Sequence, residues 1–203
     1  MLFFIKPRLR PSAPDDLALQ NDLLDVHLDV HKYKVCPQTF PDLATVGKTH
    51  GAAELLATAS ENHKLCKEYL AVVRGVPAQA EGELKDYLAR NDALRKTVTV
   101  DKSFRGAKEA RLSYRVEETK ETAEGALTLV QIRLHTGRNH QIRVQFSSRG
   151  LPIVGDERYG SGGEQMALWA FRLTFPNPCG GSKTVMKLPS GGVWDQFSFE
   201  NVR

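Results

Sequence analysis

The chain has 203 residues, of which 41% are hydrophobic and 26% are charged, and its formal net charge is +4. These values are ordinary for a globular protein and are sufficient for one well-buried domain. No apolar run is long enough for a membrane helix, and the apolar start, Met1–Ile5, is too short for a signal peptide. We therefore expect a cytoplasmic protein without membrane association, and a monomer as the simplest state.

Residues 1–46 differ in composition from the rest of the chain. They contain five of the ten prolines but no glycine and no glutamate, whereas all sixteen glycines come later. Turns of a folded α/β segment usually recruit glycine for positive φ angles. We therefore interpret residues 1–46 as an anomalous N-terminal segment, in which only a short helix within residues 17–28 is suggested. It could be a divergent N-terminus, a disordered arm or sequence from outside the ancestral reading frame.

From residue 47 onward the pattern of a folded domain begins. Thr49 is a plausible N-cap for a helix that extends to Ala59, and a later helix is predicted after an Asn139 cap. Strands are predicted at residues 68–73, 83–88, 97–100, 111–116, 127–134 and 167–175. Consecutive strands with few helices between them predict an α+β fold, a mainly antiparallel sheet with helices packed against it.

Positive charge is concentrated between Gln131 and Arg149. This stretch holds four arginines and two histidines, and it contains no aspartate or glutamate. Such a run favours contact with a phosphate backbone. The alternative is a solvated face whose acidic partners come from elsewhere in the fold. The three cysteines are isolated and lack metal-ligand spacing, so we predict no metal site.

Three sequence blocks in a fixed order carry a family resemblance. The first is the strand Lys67–Pro77. The second is His-Thr-Gly-Arg-Asn-His-Gln-Ile-Arg at 135–143, with Pro-Ile-Val-Gly-Asp at 152–156 and Tyr-Gly at 159–160. The third is the strand 167–173, followed by Phe175 and Pro176. Over roughly residues 47–198 the chain resembles the RluA-like pseudouridine synthases, which places a pseudouridine synthase-like catalytic domain, incomplete at its N-terminal side, at residues 47–203.

The resemblance implies a mixed, mainly antiparallel sheet with an RNA-binding cleft across it. Members of this family flip a uridine out of RNA, break its N1–C1′ bond, turn the base and rejoin it through C5. Extruding the base costs a few kcal/mol of unstacking that the pocket must recover. The family needs no metal and no organic cofactor. The implied partner of this chain is RNA, and we expect it to be ribosomal RNA.

The resemblance also assigns candidate site residues. Tyr69 matches the active-site tyrosine that lies over the target base, although a core strand tyrosine would fit the same pattern. Arg143 matches the arginine that pairs with the catalytic carboxylate or a phosphate, and an exposed helix arginine is the alternative. For Asp156 we expect a local turn role. The motif and the run of positive charge together give the candidate RNA contacts Arg133, Arg138, His140, Gln141 and Arg149, although His140 and Gln141 could instead fix the turn and the helix by hydrogen bonds.

The family's catalytic aspartate belongs to an Arg-Leu-Asp-Arg run after a histidine, and that run is not intact here. The nearest match is His27-Leu28-Asp29, which makes Asp29 the candidate catalytic residue, 40 positions before Tyr69. Asp42 lies 27 positions before Tyr69, nearer to the family spacing, but lacks matching neighbours. Two functions therefore remain open: an RNA pseudouridine synthase, or a catalytically inactive RNA-binding remnant without the aspartate.

Overall fold

A computed structural model describes residues 65–163, 165–176 and 181–202 of the chain. The chain divides into two compact units, and the larger one comprises residues 67–171 and 188–203. The helices predicted within residues 17–28 and 49–59 lie outside the described residues, as do Asp29 and Asp42. The candidate site residues from Tyr69 onward all belong to the larger unit.

The larger unit is built on an antiparallel sheet. Its strands are β1 (Cys66–Arg74), β2 (Glu81–Asn91), β3 (Lys96–Val100), β4 (Lys108–Thr122) and β5 (Gly125–Leu134). They lie in the order β3-β2-β4-β5-β1, followed by β6 (Leu168–Pro176). Strand β2 pairs antiparallel with both β3 and β4, and β5 pairs antiparallel with both β4 and β1. The predicted strands are confirmed, although β2 and β4 extend beyond the predicted bounds.

Strand β1 is buried on both of its faces. Tyr69, Ala71 and Val73 alternate with Leu70 and Val72, and each of these side chains is at most 5% exposed. Because successive strand side chains point to opposite faces, β1 contributes to the core on both sides of the sheet. Gly75 follows the strand at φ 90°, a conformation that glycine adopts without steric cost, so the predicted end of this strand is confirmed.

Helix α1 (Gln141–Ser147) packs on one face of the sheet, which we call the helix-bearing face. Val144 forms a buried cluster with Leu88 of β2 and Ala110 of β4. The Phe146 ring meets the Tyr114 ring edge to face, with the ring centroids 5.7 Å apart. Contacts of this kind are the reason that a helix of only two turns is stable here, because a short helix gains its stability from packing.

The described part of the second unit contains a β-hairpin. The end of β6 pairs antiparallel with β7 (Ser182–Met186), from Arg172 opposite Met186 to Pro176 opposite Ser182. A short 3₁₀ helix (Gly192–Gln196) follows within the larger unit. Across the described residues, α1 is the one α-helix. A mainly antiparallel fold is therefore confirmed, whereas the expected set of several packed helices is not confirmed by this part of the chain.

Candidate active site

The turn before α1 is organised around the Gln141 side chain, which is 3% exposed. Its Oε1 accepts hydrogen bonds from the Thr136 hydroxyl at 2.8 Å and from the Arg138 backbone N–H at 3.0 Å. Its Nε2 donates to the Arg111 carbonyl of β4 at 3.1 Å. The amide therefore fixes the turn to the sheet. We expected Gln141 to touch RNA or to hold the turn, and its burial and bonds favour the second role.

Helix α1 begins directly after a residue whose backbone is in the left-handed conformation. His140 is the N-cap, with φ 54° and ψ 27°, and no side chain caps the helix. The predicted cap at Asn139 is therefore wrong, since Asn139 lies one residue before the left-handed turn. A non-glycine residue in this region is uncommon and persists only where the surroundings hold it. Here the His140 Nδ1 lies 3.0 Å from the Tyr159 hydroxyl.

The segment after α1 is held against β1 by main-chain hydrogen bonds. The Arg74 N–H donates to the Pro152 carbonyl at 2.9 Å, and the Val154 N–H donates to the Val72 carbonyl at 2.9 Å. Gly155 then adopts φ 74° and turns the chain, so that Asp156 lies buried in the protein. The Pro-Ile-Val-Gly-Asp block thus fixes one carboxylate beside the helix.

Arg143 and Asp156 form a buried bidentate ion pair. The Arg143 Nε donates to Asp156 Oδ2 at 2.8 Å, and Nη2 donates to Oδ1 at 2.7 Å. The two residues are 5% and 0% exposed, so the alternative of an exposed helix arginine is wrong. Oδ1 also accepts the backbone N–H groups of Arg158 and Tyr159, each at 2.9 Å. Asp156 therefore has the local turn role that we expected and, in addition, orients Arg143.

The charge state of Asp156 follows from these contacts. Burial by itself would raise the pKa of this carboxyl, but the hydrogen bonds from Arg143 and from the Tyr159 and Arg158 backbone, together with the Arg143 charge, lower the pKa below its ordinary value. The carboxylate is therefore ionised at neutral pH, and the pair is a fixed salt bridge rather than a proton donor.

One nitrogen of the Arg143 guanidinium takes no part in the ion pair with Asp156. Within the part of the chain that the structure describes, Arg143 Nη1 is buried and has no hydrogen-bond partner. Buried donors are nearly always paired, so an orphan of this kind calls for an explanation. A second carboxylate or a phosphate oxygen would satisfy it, because arginine binds either group through its planar fork.

Tyr159 connects the elements around this pair. Its ring lies with its centroid 5.0 Å from the Arg143 Cζ, and its hydroxyl accepts the Thr97 N–H of β3 at 3.0 Å. Burial raises the pKa of the Tyr159 hydroxyl, although the Thr97 hydrogen bond and the Arg143 charge oppose that rise. The hydroxyl therefore stays protonated at neutral pH. The sequence shows Tyr159 only as part of the Tyr-Gly block, and its contacts become visible only in the structure.

Tyr69 lies on the helix-bearing face of β1. It stands opposite Ile132 of β5, which in turn stands opposite Tyr114, the tyrosine that packs against α1. Directly opposed residues in neighbouring strands share a face, so Tyr69 and α1 are on the same side of the sheet. Tyr69 is 5% exposed, which suits either of its two expected roles.

The predicted RNA-contacting arginines are spread over different environments. Arg149 forks onto the Asp86 carboxylate with nitrogen–oxygen distances of 2.9 and 3.1 Å. Arg138 is exposed, and its Nε donates to the Glu109 carbonyl at 2.7 Å. Arg133 stands next to Ile132 in β5 and therefore points to the opposite face of the sheet. Asp86 and Asp156 are thus acidic partners from elsewhere in the fold, as the alternative interpretation of this charged stretch requires.

Arg133 lines a polar groove on the opposite face, with a volume of about 500 Å³. Residues of three neighbouring strands form the groove, and cross-strand pairing places Glu83 beside Ser113 and Ser113 beside Arg133. The groove is lined by Glu81, Gly82, Glu83, Ser113, Tyr114, Arg115, Gln131 and Arg133. Its mixed charge makes it a poorer match for a polyanion than a surface of one sign.

A basic surface that the sequence analysis missed lies on the end of the turn before β3, on β3, on the following loop and on the start of β4. We call it the basic rim, and it consists of Arg95, Lys96, Lys102, Arg105 and Lys108. Among the described residues none of these five forms an ion pair, and the exposed Phe104 side chain (53%) lies in the same loop. The signal in the sequence was five basic residues against a single aspartate between positions 95 and 108.

The rim is connected to the site by two contacts. The Lys96 Nζ lies 5.7 Å from the Tyr159 ring centroid. The Arg138 guanidinium bonds the carbonyl of Glu109, the residue after Lys108.

In the described ranges, no group of three or more His, Cys, Asp or Glu side chains is arranged to hold a metal ion. The same residues include no helix long and apolar enough to span a membrane.

Comparisons with known proteins agree with this architecture. A family model described as RNA pseudouridylate synthase matches residues 43–148. A rice protein, RNA pseudouridine synthase 2, chloroplastic, is 34% identical over 137 residues. Ribosomal large subunit pseudouridine synthase D of Zymomonas mobilis is 32% identical over 153 residues. The solved structure of human RNA Pseudouridylate Synthase Domain Containing 1 aligns with a TM-score of 0.63 and 25% identity.

The matches cover only part of the related proteins. The alignments include 66% of this chain but 30% of the rice protein, and 70% of this chain but 46% of the Zymomonas protein. The human structure is covered to 62%, against 71% of this chain. The chain thus spans half or less of the two curated relatives. The family match begins close to the predicted boundary at residue 47, and Asp29 and Asp42 precede it.

Proposed function

Because the chain belongs to the RNA pseudouridylate synthase family, we propose that it isomerises uridine to pseudouridine in RNA. A family model that matches about half of the chain, in the region that contains the Arg143 motif, supports this activity. We propose ribosomal RNA as the substrate, as the name of the Zymomonas relative suggests for that protein. We also propose a cytoplasmic location and a monomeric state.

The observation that carries the proposal is the buried Arg143 with its unpaired Nη1. Asp156 occupies Nε and Nη2 and holds the guanidinium plane in one orientation. Nη1 then remains available for one further anionic oxygen. An arginine that is already neutralised by one carboxylate can orient a second carboxylate without excess positive charge. The second carboxylate would be the catalytic aspartate that the family requires.

Asp29 is our candidate for that aspartate, and Asp42 is its rival. An ionised carboxylate at this position would act as a nucleophile or base towards the sugar or the uracil. Arg143 would hold this carboxylate in its ionised form, because a hydrogen bond donated to the charged form lowers the pKa of a carboxyl. The proposal therefore requires that the aspartate reach Nη1 within hydrogen-bond distance.

RNA would approach along the basic rim. The rim cations lack internal acidic partners among the described residues, so their charge is available to phosphates, unlike the charge of Arg143 and Arg149. Arg138 bonds the carbonyl of Glu109 at the start of β4, and His140 contacts the Tyr159 hydroxyl. The exposed Phe104 ring offers a stacking surface for an unpaired base. Tyr69 would lie over the extruded uracil.

The isomerisation conserves atoms and electrons. The C1′–N1 bond breaks, a C1′–C5 bond forms, the proton on C5 is released, and N1 gains a proton. Neither an oxidant nor a reductant takes part. Because the C5 hydrogen leaves as a proton, release of tritium from RNA that contains 5-tritiated uridine reports the reaction directly.

The proposal is tested by measuring tritium release with the full chain and with two matched variants, Asp29→Asn and Asp42→Asn. Each substitution removes the ionised carboxylate and keeps the size of the side chain. We expect release by the wild-type chain, its loss in Asp29→Asn and its retention in Asp42→Asn. Loss in Asp42→Asn alone would assign the aspartate to Asp42. No release by the wild-type chain with any ribosomal RNA fragment, while RNA binding persists, would overturn the proposed activity.

A further inference from the structure

We propose that Tyr159 is a positioning residue for Arg143: its ring packs against the guanidinium cation while Asp156 holds one edge. The inference rests on the proposed function for its effect on catalysis, but the contact itself can be tested without activity. Tyr159 stands in the Tyr-Gly block, outside the helix that carries Arg143. Its role therefore follows from the spatial contacts rather than from its place in the sequence.

The guanidinium has two kinds of contact. Its Nε and Nη2 donate to the two Asp156 oxygens at 2.8 and 2.7 Å. Its Cζ also lies over the Tyr159 ring, 5.0 Å from the ring centroid. A cation near an aromatic face is attracted by the negative face of the ring. The ion pair fixes one edge and the ring packs against the cation, which together restrict the direction in which Nη1 points.

The ring can restrain Arg143 because it is itself held by several elements. The Tyr159 backbone N–H donates to Asp156 Oδ1 at 2.9 Å, and the Tyr159 carbonyl accepts a hydrogen bond from the Ser147 hydroxyl of α1 at 2.6 Å. Its hydroxyl accepts the Thr97 N–H at 3.0 Å and lies 3.0 Å from His140 Nδ1. The ring also packs against the cluster of Leu88, Ala110 and Val144. Tyr159 is thus fixed to β3, to the helix entry and to the helix end.

Position 160, directly after Tyr159, has little room for a side chain. A Cβ at Gly160 would lie 3.0 Å from the Asp156 carbonyl oxygen and 3.1 Å from the Pro152 Cβ. Glycine after Tyr159 therefore lets this turn pack closely against the Asp156 carbonyl and Pro152.

Two variants separate the contribution of the Tyr159 ring to kcat from that of the Tyr159 hydroxyl. Tyr159→Phe keeps the ring and removes the hydroxyl, whereas Tyr159→Leu keeps apolar bulk and removes the aromatic face. We expect Tyr159→Leu to lower kcat for tritium release about 10-fold or more, with KM for RNA changed less than about 2-fold, because misorientation of a reacting group mainly affects the chemical step. Tyr159→Phe should keep kcat within about 3-fold of wild type. Thermal unfolding of both variants serves as the folding control.

A spectroscopic measurement tests the contact independently of catalysis. The protein has a mass of 22.6 kDa, so its arginine Nε–H resonances are accessible by NMR, and Arg143→Lys assigns the signal by its loss. We expect the wild-type Arg143 Nε–H to be protected from solvent exchange and shifted by the ring current. The ring-current shift should persist in Tyr159→Phe and disappear in Tyr159→Leu.

The outcomes distinguish this inference from the proposed function. An Arg143 Nε–H in the wild-type protein that exchanges freely and shows no ring-current shift would overturn the inference, even if neither variant folds. Unchanged kcat in Tyr159→Leu, or a rise in KM alone, would also overturn it. If the wild-type protein shows the shifted resonance but releases no tritium, the contact stands and the proposed function fails.

Discussion

Each side of the sheet carries an arginine–carboxylate pair, but the pair on the helix-bearing side is buried and the pair on the opposite face is exposed to solvent. On the helix-bearing side, Arg143 and Asp156 are 5% and 0% exposed and meet in two hydrogen bonds. On the opposite face, the Arg111 Nε lies 3.6 Å from the Glu83 Oε1, and the two side chains are 46% and 51% exposed. Exposed pairs are screened by water and gain little, whereas a buried charge that loses its partner is costly.

This difference shows which charges are free to bind a partner. The Arg143 charge is paired with Asp156 and leaves only Nη1 without a partner among the described residues, so it can act only at short range and in one direction. The rim cations have no ion-pair partners among the described residues and can attract a polyanion at a distance. Counting arginines along the sequence does not separate these two uses, but burial does.

The largest effect on stability is expected from breaking the buried pair. Asp156→Ala should lower the free energy of unfolding by about 3–5 kcal/mol, because it leaves the Arg143 charge buried and uncompensated. Glu83→Ala is the matched control on the opposite face and should change stability by less than about 0.5 kcal/mol. Urea unfolding followed by circular dichroism measures both, and equal effects of the two substitutions would contradict the comparison.

A smaller effect is expected from acid. The pKa of Asp156 is lower in the folded protein than its ordinary value of about 3.9, which we take for the unfolded chain. The unfolded state therefore binds the proton more readily. The contribution of the pair is complete above about pH 4 and is lost as the pH falls through the lower, folded-state value.

Unfolding free energies measured between about pH 2 and pH 7 test this sign. Wild type and Glu83→Ala should lose stability below about pH 4 with the same slope. Asp156→Ala should show a shallower loss in that interval. A wild-type slope in Asp156→Ala would mean that other carboxyls determine the acid sensitivity.

The smallest effect is expected from the free surface charges. Replacing both Arg105 and Lys108 with alanine should weaken RNA binding and reduce the slope of log affinity against log salt by about 0.7–0.9 per lost phosphate contact. Arg133→Ala, on the opposite face, should leave that slope within error of wild type. Filter binding over a salt series measures both. A reduced slope in Arg133→Ala alone would place the RNA on the polar groove instead.

Much of the sheet could be predicted from the sequence because its strands have period-two or fully apolar patterns. Strand β1 was recognised from a buried run that ends at Gly75, and β6 from the alternation of residues 167–175. The errors lie at the ends of elements. Asn139 looked like a helix cap by residue type, but the helix entry is set by the left-handed His140, which tertiary contacts hold and local propensity does not predict.

The site was predictable only as far as motif positions allow. Arg143 was identified by its motif, but its partner was not, since Asp156 resembles any aspartate that follows glycine in a turn. Its burial depends on the pairing of residues 152–154 with β1, which is a long-range contact. Tyr159 was missed as a contact of Arg143 for the same reason. Arg133 and Arg143 were grouped by charge, although strand alternation places Arg133 on the opposite face.

Tritium release from RNA containing 5-tritiated uridine separates the two faces of the sheet when wild type, Arg143→Lys and Arg133→Lys are compared at saturating RNA. Both substitutions keep the positive charge and remove the planar fork. We predict that Arg143→Lys loses about 100-fold or more in kcat, because one ammonium cannot hold Asp156 and orient a second carboxylate together. Arg133→Lys should retain wild-type activity. Equal activity of the two variants would contradict the assignment of the site to the helix-bearing face.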